Sequence, residues 1–326
     1  MRSTRLKRKN LVHLRVATEV HWSGSGSRSL ENSQLHPVLS VLPIIPNIRL
    51  LSLRHADINE AQQSIIFGLS TLRTLVVRSC GFYPSTTPIP HSHVTALKLA
   101  HNDTQTSHHL LSLLASTVED LEIDSSDGTV RCVRLGGFIE LPKLSTLTMT
   151  STDFYSEIVT RQESLGTFKR YTSITTLHIL FYLRLSDMSL HHLDLPALRS
   201  LTCHHRLAVN LIPKRPLATY VEVYSDFNKE PWRLLDSLSK TRAGIKNLKL
   251  FVSGEFFSIL PSFATSLQQL EQLTLGLCSR KKADHLPDHL SGQPLHNHPG
   301  VGAVMLPKLR WVTLCVVENR CTGFSS

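Results

Sequence analysis

The chain has 326 residues, 41% of them hydrophobic and 6% aromatic, with 18% charged and a formal net charge of +10. The apolar share is sufficient for a continuous core, and the positive excess comes as much from a shortage of acids as from a wealth of bases. Six scattered cysteines without a Cys-x-x-Cys pair imply neither a zinc site nor a disulfide framework.

The chain opens on a basic tail, residues 1–10, holding Arg2, Arg5, Lys7, Arg8 and Lys9. Such a run reads as a solvated end, with nucleic-acid contact or nuclear import as the alternative. No apolar stretch follows it, so no secretory leader is expected. The most apolar run, Val38 to Leu53, is interrupted by Pro43, Pro46 and Arg49 and is too short to span a bilayer. A protein of the cytoplasm, the nucleus or both, with no membrane partner, is the expectation.

Beyond the tail one template recurs, seen clearly in Leu72-Arg-Thr-Leu75-Val-Val77-Arg-Ser-Cys80: apolar residues at positions 1, 4 and 6, and a small residue at 9. In chain order the copies are Leu11-Leu14-Val16, Ile48-Leu51-Leu53, Leu72-Leu75-Val77, Val94-Leu97-Leu99, Val118-Leu121-Ile123 and Leu144-Leu147-Met149. They continue as Ile174-Leu177-Ile179, Leu198-Leu201-Cys203, Ala218-Val221-Val223, Ile245-Leu248-Leu250, Leu270-Leu273-Leu275 and Leu309-Val312-Leu314. Nine of the eleven steps between these twelve copies are 20 to 30 residues long, the period of a unit with one strand and one helix or turn. Positions 4 and 6 point the same way from an extended backbone, so each strand offers the core two or three side chains. A face that small is stable only when neighbouring units stack upon it. A small polar group at position 9, such as Cys80, Asn102 or Ser126, is expected to satisfy backbone groups where the chain turns out of the strand.

Between strands, stripes of 3.6 period predict helices over residues 59–72, 105–117, 232–240 and 255–270, and a shorter one over 30–42. The segment 279–304, rich in His, Pro, Gly and Lys, reads as an exposed insertion. The expected organisation is a basic tail at 1–10 followed by one α/β solenoid over 11–326. It has a parallel concave sheet of about 11–12 strands, with helices and loops on the convex side.

This pattern resembles the leucine-rich repeat superfamily over residues 11 to 317. Within it the chain is most similar to the repeat region of fungal F-box proteins, whose strands are often entered through a Leu-Pro-x-Leu-x-x-Leu phrase. Here that phrase stands as Leu141-Pro-Lys-Leu-Ser-Thr-Leu147, Leu195-Pro-Ala-Leu-Arg-Ser-Leu201 and Leu306-Pro-Lys-Leu-Arg-Trp-Val312. The resemblance implies a ubiquitin-ligase adaptor whose repeats hold a protein substrate; the alternative is a free-standing intracellular repeat protein that scaffolds or inhibits a partner. No Leu-Pro-x-Glu-type F-box stands ahead of these repeats, so docking to a Skp1-type adaptor is implied only if one lies upstream.

Eighteen histidines raise the question of a metal. His285, His289, His296 and His298 stand close together with Asp284 and Asp288, but Pro287 spoils the helix that would align His285 with His289. The pairs His108-His109, His191-His192 and His204-His205 are expected to be surface imidazoles. No nucleophile elbow, phosphate loop or dinucleotide fingerprint is present, so no enzyme and no cofactor is expected. The candidate site is the concave face, where positions 3, 5 and 7 look outward from the core. Arg54, Arg73, Arg78, Lys98, Glu122 and Asp124 mark its early part; His178, Tyr220, Tyr224, Lys249 and Phe251 mark its later part. Twelve strands about 4.8 Å apart line an arc on the order of 50 Å, which suits a protein partner better than a small metabolite, with aromatic anchors and complementary charge. Alternatively, neighbouring charges neutralise one another across strands.

Overall fold

The computed structural model describes residues 19–23, 35, 37–45, 47–84, 92–124, 140–150, 172–180, 195–212, 218–224, 231–241, 244–252, 266–278 and 308–317. The chain divides into two units, Met1–Ile174 and Thr175–Ser326. The tail at 1–10, the insertion at 279–304 and residues 255–265 of the helix expected over 255–270 lie outside the described residues.

In the first unit, six parallel strands follow one another in chain order: β1 (Glu19–Ser23), β2 (Leu50–Arg54), β4 (Thr74–Arg78), β6 (Ala96–Ala100), β7 (Asp120–Asp124) and β8 (Thr146–Thr150). Two short strands, β3 (Asp57–Ile58) and β5 (Gly81–Phe82), pair in a separate ribbon. Helix α1 (Glu60–Phe67) lies between β3 and β4, and α2 (Thr104–Leu113) between β6 and β7. The second unit repeats the plan with β9 (Thr176–Leu180), β10 (Ser200–His204), β11 (Tyr220–Tyr224), β12 (Asn247–Val252), β13 (Gln272–Cys278) and β14 (Trp311–Val317). Its helices are α3 (His205–Leu211) and α4 (Pro231–Ser239), whose Ser237 hydroxyl donates to the Val209 carbonyl across the helix pair. Parallel strands in strict chain order, each returned by its own connection, make an α/β leucine-rich repeat solenoid.

The template letters explain this order. Ten copies, from Ile48-Leu51-Leu53 to Leu270-Leu273-Leu275, bury positions 1, 4 and 6 at no more than 5% exposure. Burying one such side chain contributes about 1.5–3 kcal/mol. The first copy is a correction. Leu11 to Val16 lies outside the described residues, and β2 pairs instead with Glu19–Ser23, setting Val20 opposite Leu51 and Trp22 opposite Leu53. The step to the next rung is therefore 31 residues (51 − 20). At the last described rung Val312 is 40% exposed although it occupies position 4.

A second regularity is in the backbone. The carbonyl of position 2 accepts from two successive N–H groups of the next rung. Arg49 receives Arg73 and Thr74, Arg73 receives Thr95 and Ala96, and Glu119 receives Ser145 and Thr146; in the second unit Thr175, Arg199, Thr219, Lys246 and Glu271 do the same. This rim of shared acceptors holds the register whatever the length of the connection. Entry to position 1 is a tight turn: Leu144 N–H donates to Leu141 O at 3.1 Å and Leu198 N–H to Leu195 O at 3.1 Å. Pro142 and Pro196 fall at the second residue of those turns, where a fixed φ is favourable. Leu267 and Leu270 close the same turn at 2.9 Å without proline. The Leu-Pro-x-Leu phrase thus has a local conformational cause.

Exit from the strand is equally specific in the first unit. His55, Ser79 and His101, all at position 8, take positive φ of 53°, 51° and 53°, a region L-residues enter at a cost. Asn102 pins the turn: its Oδ1 accepts from Cys80 N–H and its Nδ2 donates to Val77 O, both at 2.9 Å. The connections that follow are cross-linked by polar side chains. Asn59 and Gln62 form a reciprocal capping box at the start of α1. Asp103 caps α2, and the Thr106 hydroxyl accepts from Phe82 N–H. Gln63 Nε2 donates to Tyr83 O, which turns its Oε1 toward His109 Nε2 at 2.9 Å; that nitrogen must carry the proton.

Helix α3 departs from expectation. It begins at the residue after β10 and occupies positions 8 and 9 of that rung, burying Leu207, Leu211 and Ile212. His204 and His205, expected at the surface, are 6% and 5% exposed, with ring centroids 4.5 Å apart.

Candidate functional site

Positions 3, 5 and 7 of each strand form the sheet face opposite the core, and the register lines them into rows. In the first unit the position-5 row runs His21, Ser52, Val76, Lys98, Glu122, Thr148. Lys98 Nζ lies 2.5 Å from Glu122 Oε2 directly across the strand gap. The position-7 row begins with Ser23 and continues with Arg54 and Arg78, register partners that are both exposed. Neither guanidinium has an acidic partner among the described residues. Ala100 follows, then Asp124, whose Oδ2 is 3.5 Å from His101 Nε2 while its Oδ1 is buried without a hydrogen-bond partner. Arg73 belongs elsewhere. It sits at position 2, and its Nη1 donates to the carbonyls of Ser70, Leu72 and His93, stapling the rim loops.

The second unit presents a tighter cluster. Tyr220 donates its hydroxyl to Glu222 Oε2 at 3.1 Å, and Lys249 Nζ lies 2.6 Å from Glu222 Oε1. Burial, reinforced by the neighbouring Glu222 charge and hydrogen bond, pushes the Tyr220 phenol up to about 12. Lys249 Nζ also stands 5.5 Å from the Phe251 ring centroid, a contact of about 0.5–1 kcal/mol at an accessible site. Phe251 lies across Gly276 on the next strand, where a β-carbon would approach the ring to 2.8 Å. On the other flank, His178 is half-buried opposite Thr202, which is 1% exposed and whose hydroxyl has no partner among the described residues. Tyr224 stands in register with His204. The arrangement is a partly neutralised charge pair flanked by an aromatic shelf.

Gly276 and Thr202 are site residues that the repeat template does not single out. A glycine inside the alternating run Leu273-Thr-Leu-Gly-Leu277 was the available signal, since such a glycine marks a close approach. Thr202 had no comparable signal. The thiols are structural: burial pushes Cys80 up to about 11 and Cys203 upward as well, and Cys80 Sγ contacts Arg78 O at 3.2 Å. Burial, with His108 adding to it, lowers the pKa of His109. Among the described residues no three His, Cys, Asp or Glu side chains are grouped to hold a metal, and no helix is long and apolar enough to cross a membrane. The His285–His298 cluster and His191-His192 lie outside those residues.

No family model and no curated protein matches the chain. Among solved structures it is similar to an internalin (inlF) of Listeria monocytogenes, at 14% identity and a TM-score of 0.31, over 92% of this chain and 88% of that one. No residue role is carried over from that likeness.

Proposed function

We propose that this chain is a protein-interaction module that takes its partner on the open face of the sheet. One observation carries the reading. Positions 1, 4 and 6 repeat the same buried apolar chemistry, while positions 3, 5 and 7 change from rung to rung, through Arg54, Arg78, Lys98, Glu122 and Asp124 to His178, Tyr220, Lys249 and Phe251. A constant frame with a changing accessible face is the division of labour expected of a recognition surface.

The likeness to the repeats of F-box proteins suggests a finer role, that of a substrate reader in a ubiquitin ligase with a Skp1-type adaptor. Its sequence support is the Leu-Pro-x-Leu phrase, for which the entry turn is a sufficient cause, so the interaction module is the reading we favour. Nucleic-acid association through residues 1–10 is tested by deleting them and measuring retention on nucleic acid.

Cross-linking mass spectrometry on the full chain tests the main proposal. Partner cross-links are expected on the open-face strands and are expected to disappear in Arg54→Glu/Arg78→Glu/Glu122→Lys/Asp124→Lys. Cross-links confined to the helical connections, or unchanged in that variant while its circular dichroism matches the parent, refute it.

A further inference from the structure

Among the described residues, charged side chains of neighbouring strands mostly meet opposite in sign. Lys98 faces Glu122, Glu222 faces Lys249, and Lys246 lies 3.9 Å from Glu271 on the rim. On the open face Arg54 stands instead opposite Arg78, alike in sign. Strands are about 4.8 Å apart, so two guanidinium groups rise side by side from an exposed face. Like charges placed directly across strands are destabilising, and nothing among the described residues offsets this pair.

The continuation of that row gives the pair a direction. Ala100 stands next to Arg78, and its methyl group leaves a gap in the row. Asp124 stands beyond it, with one carboxylate oxygen buried and without a donor, and the side chain 17% exposed. A carboxylate oxygen in that state is incompletely compensated. Between Ser23 and Thr150 the row therefore reads cation, cation, gap, anion.

We infer that this row is a subsite for an extended peptide segment of a protein partner, with an acidic side chain over Arg54 and Arg78 and a basic one beside Asp124. The inference rests on the interaction-module reading and narrows it to a charge pattern. The midpoint of the arginine pair is two and a half strand spacings from Asp124, roughly 12 Å. An extended peptide rises about 3.3 Å per residue and returns side chains to the same face every second residue, so the acid and the base stand four residues apart. The gap at Ala100 admits the peptide backbone between them. The arginines donate in fixed planar forks suited to carboxylate.

A random peptide library displayed on phage, selected at low ionic strength against the full chain, tests this. Enriched sequences are expected to carry Asp or Glu four residues from Lys or Arg. A synthetic peptide of the enriched sequence is expected to bind about tenfold more weakly to Arg54→Ser/Arg78→Ser. Asp124→Asn is expected to remove the preference for the basic residue and leave that for the acidic one. Far-UV circular dichroism and melting temperature confirm that each variant is folded. Enriched peptides without this charge pattern, or held equally by the double arginine variant, overturn the subsite. If those peptides are lost instead from Lys249→Ala/Phe251→Ala, the interaction-module reading stands and only the subsite falls. Failure to enrich any peptide overturns the subsite, while cross-links on the open face still report separately on the broader reading.

Discussion

Replacing Asn102 with alanine isolates what a turn-closing side chain contributes to a rung. Asn102 is 3% exposed and joins two rungs through bonds of 2.9 Å to Cys80 N–H and Val77 O. Removing the carboxamide leaves one buried donor and one buried acceptor without partners. Each costs about 1–3 kcal/mol, so Asn102→Ala is expected to lose roughly 2–5 kcal/mol after partial relaxation. Leu at the same site restores volume but not the bonds, and is expected to lose a similar amount. Native-state hydrogen exchange is the assay, because a local loss in one rung need not appear in a global melting curve. The Cys80 amide is expected to lose its protection, while amides of β12 and β13 in the other unit keep theirs. If the Cys80 amide stays protected and stability falls by less than about 0.5 kcal/mol, the carboxamide is not what closes the turn.

Gly276→Ala is expected to push the Phe251 ring off its neighbouring strand, because the new β-carbon would meet it at 2.8 Å. Overpacking of this kind costs about 1–3 kcal/mol, and Phe251→Ala in the same chain should recover most of the melting temperature. Tyr220 carries a pH signature. Its folded pKa, about 12, lies above the 10.0 of an ordinary phenol, so its stabilising contribution is complete below pH 10 and is lost as pH rises toward 12. Glu222→Gln should move the phenolate absorbance transition downward, and an unchanged transition would remove Glu222 as a cause. Thiol alkylation of the folded protein should label exposed Cys315 well before buried Cys80 and Cys203; equal rates would show that the core opens readily.

The frame was legible where the letters were strong. Leu75 and Leu99 announce their rungs because two apolar residues flank one outward position, and both are buried at 0% and 1%. Beside β2 the sheet uses Glu19–Ser23, although Leu11-Leu14-Val16, outside the described residues, fits the template better; Val20 and Trp22 are only half-buried, so that rung leaves a weaker apolar signature. Helix α3 was missed because no capping residue separates it from β10, and the histidines at the junction looked like surface groups. In the site, strand alternation marks which positions lie opposite the core, but not which of them are accessible, as buried Thr202 and His204 show, nor which charges pair. Lys98 and Glu122 depend on register for their neutralisation, and Arg73 turns along the rim because three carbonyls wait for it there. The Lys98–Glu122 pairing joins residues 24 apart, beyond the reach of local pattern, whereas Arg73 bonds the carbonyls of its own entry turn and one of the next.

The shared carbonyl acceptors along the rim have a mechanical consequence. Each joins a rung only to the next, so tension applied to a terminal strand loads one interface at a time. Within either unit the sheet should peel, not rupture as a block, with each event releasing the residues between successive rungs. For the 24-residue step from Leu51 to Leu75 the released length is about 80 Å, at roughly 3.4 Å per extended residue. Single-molecule extension would therefore print the repeat spacing as a series of unequal steps, in the order in which the rungs let go.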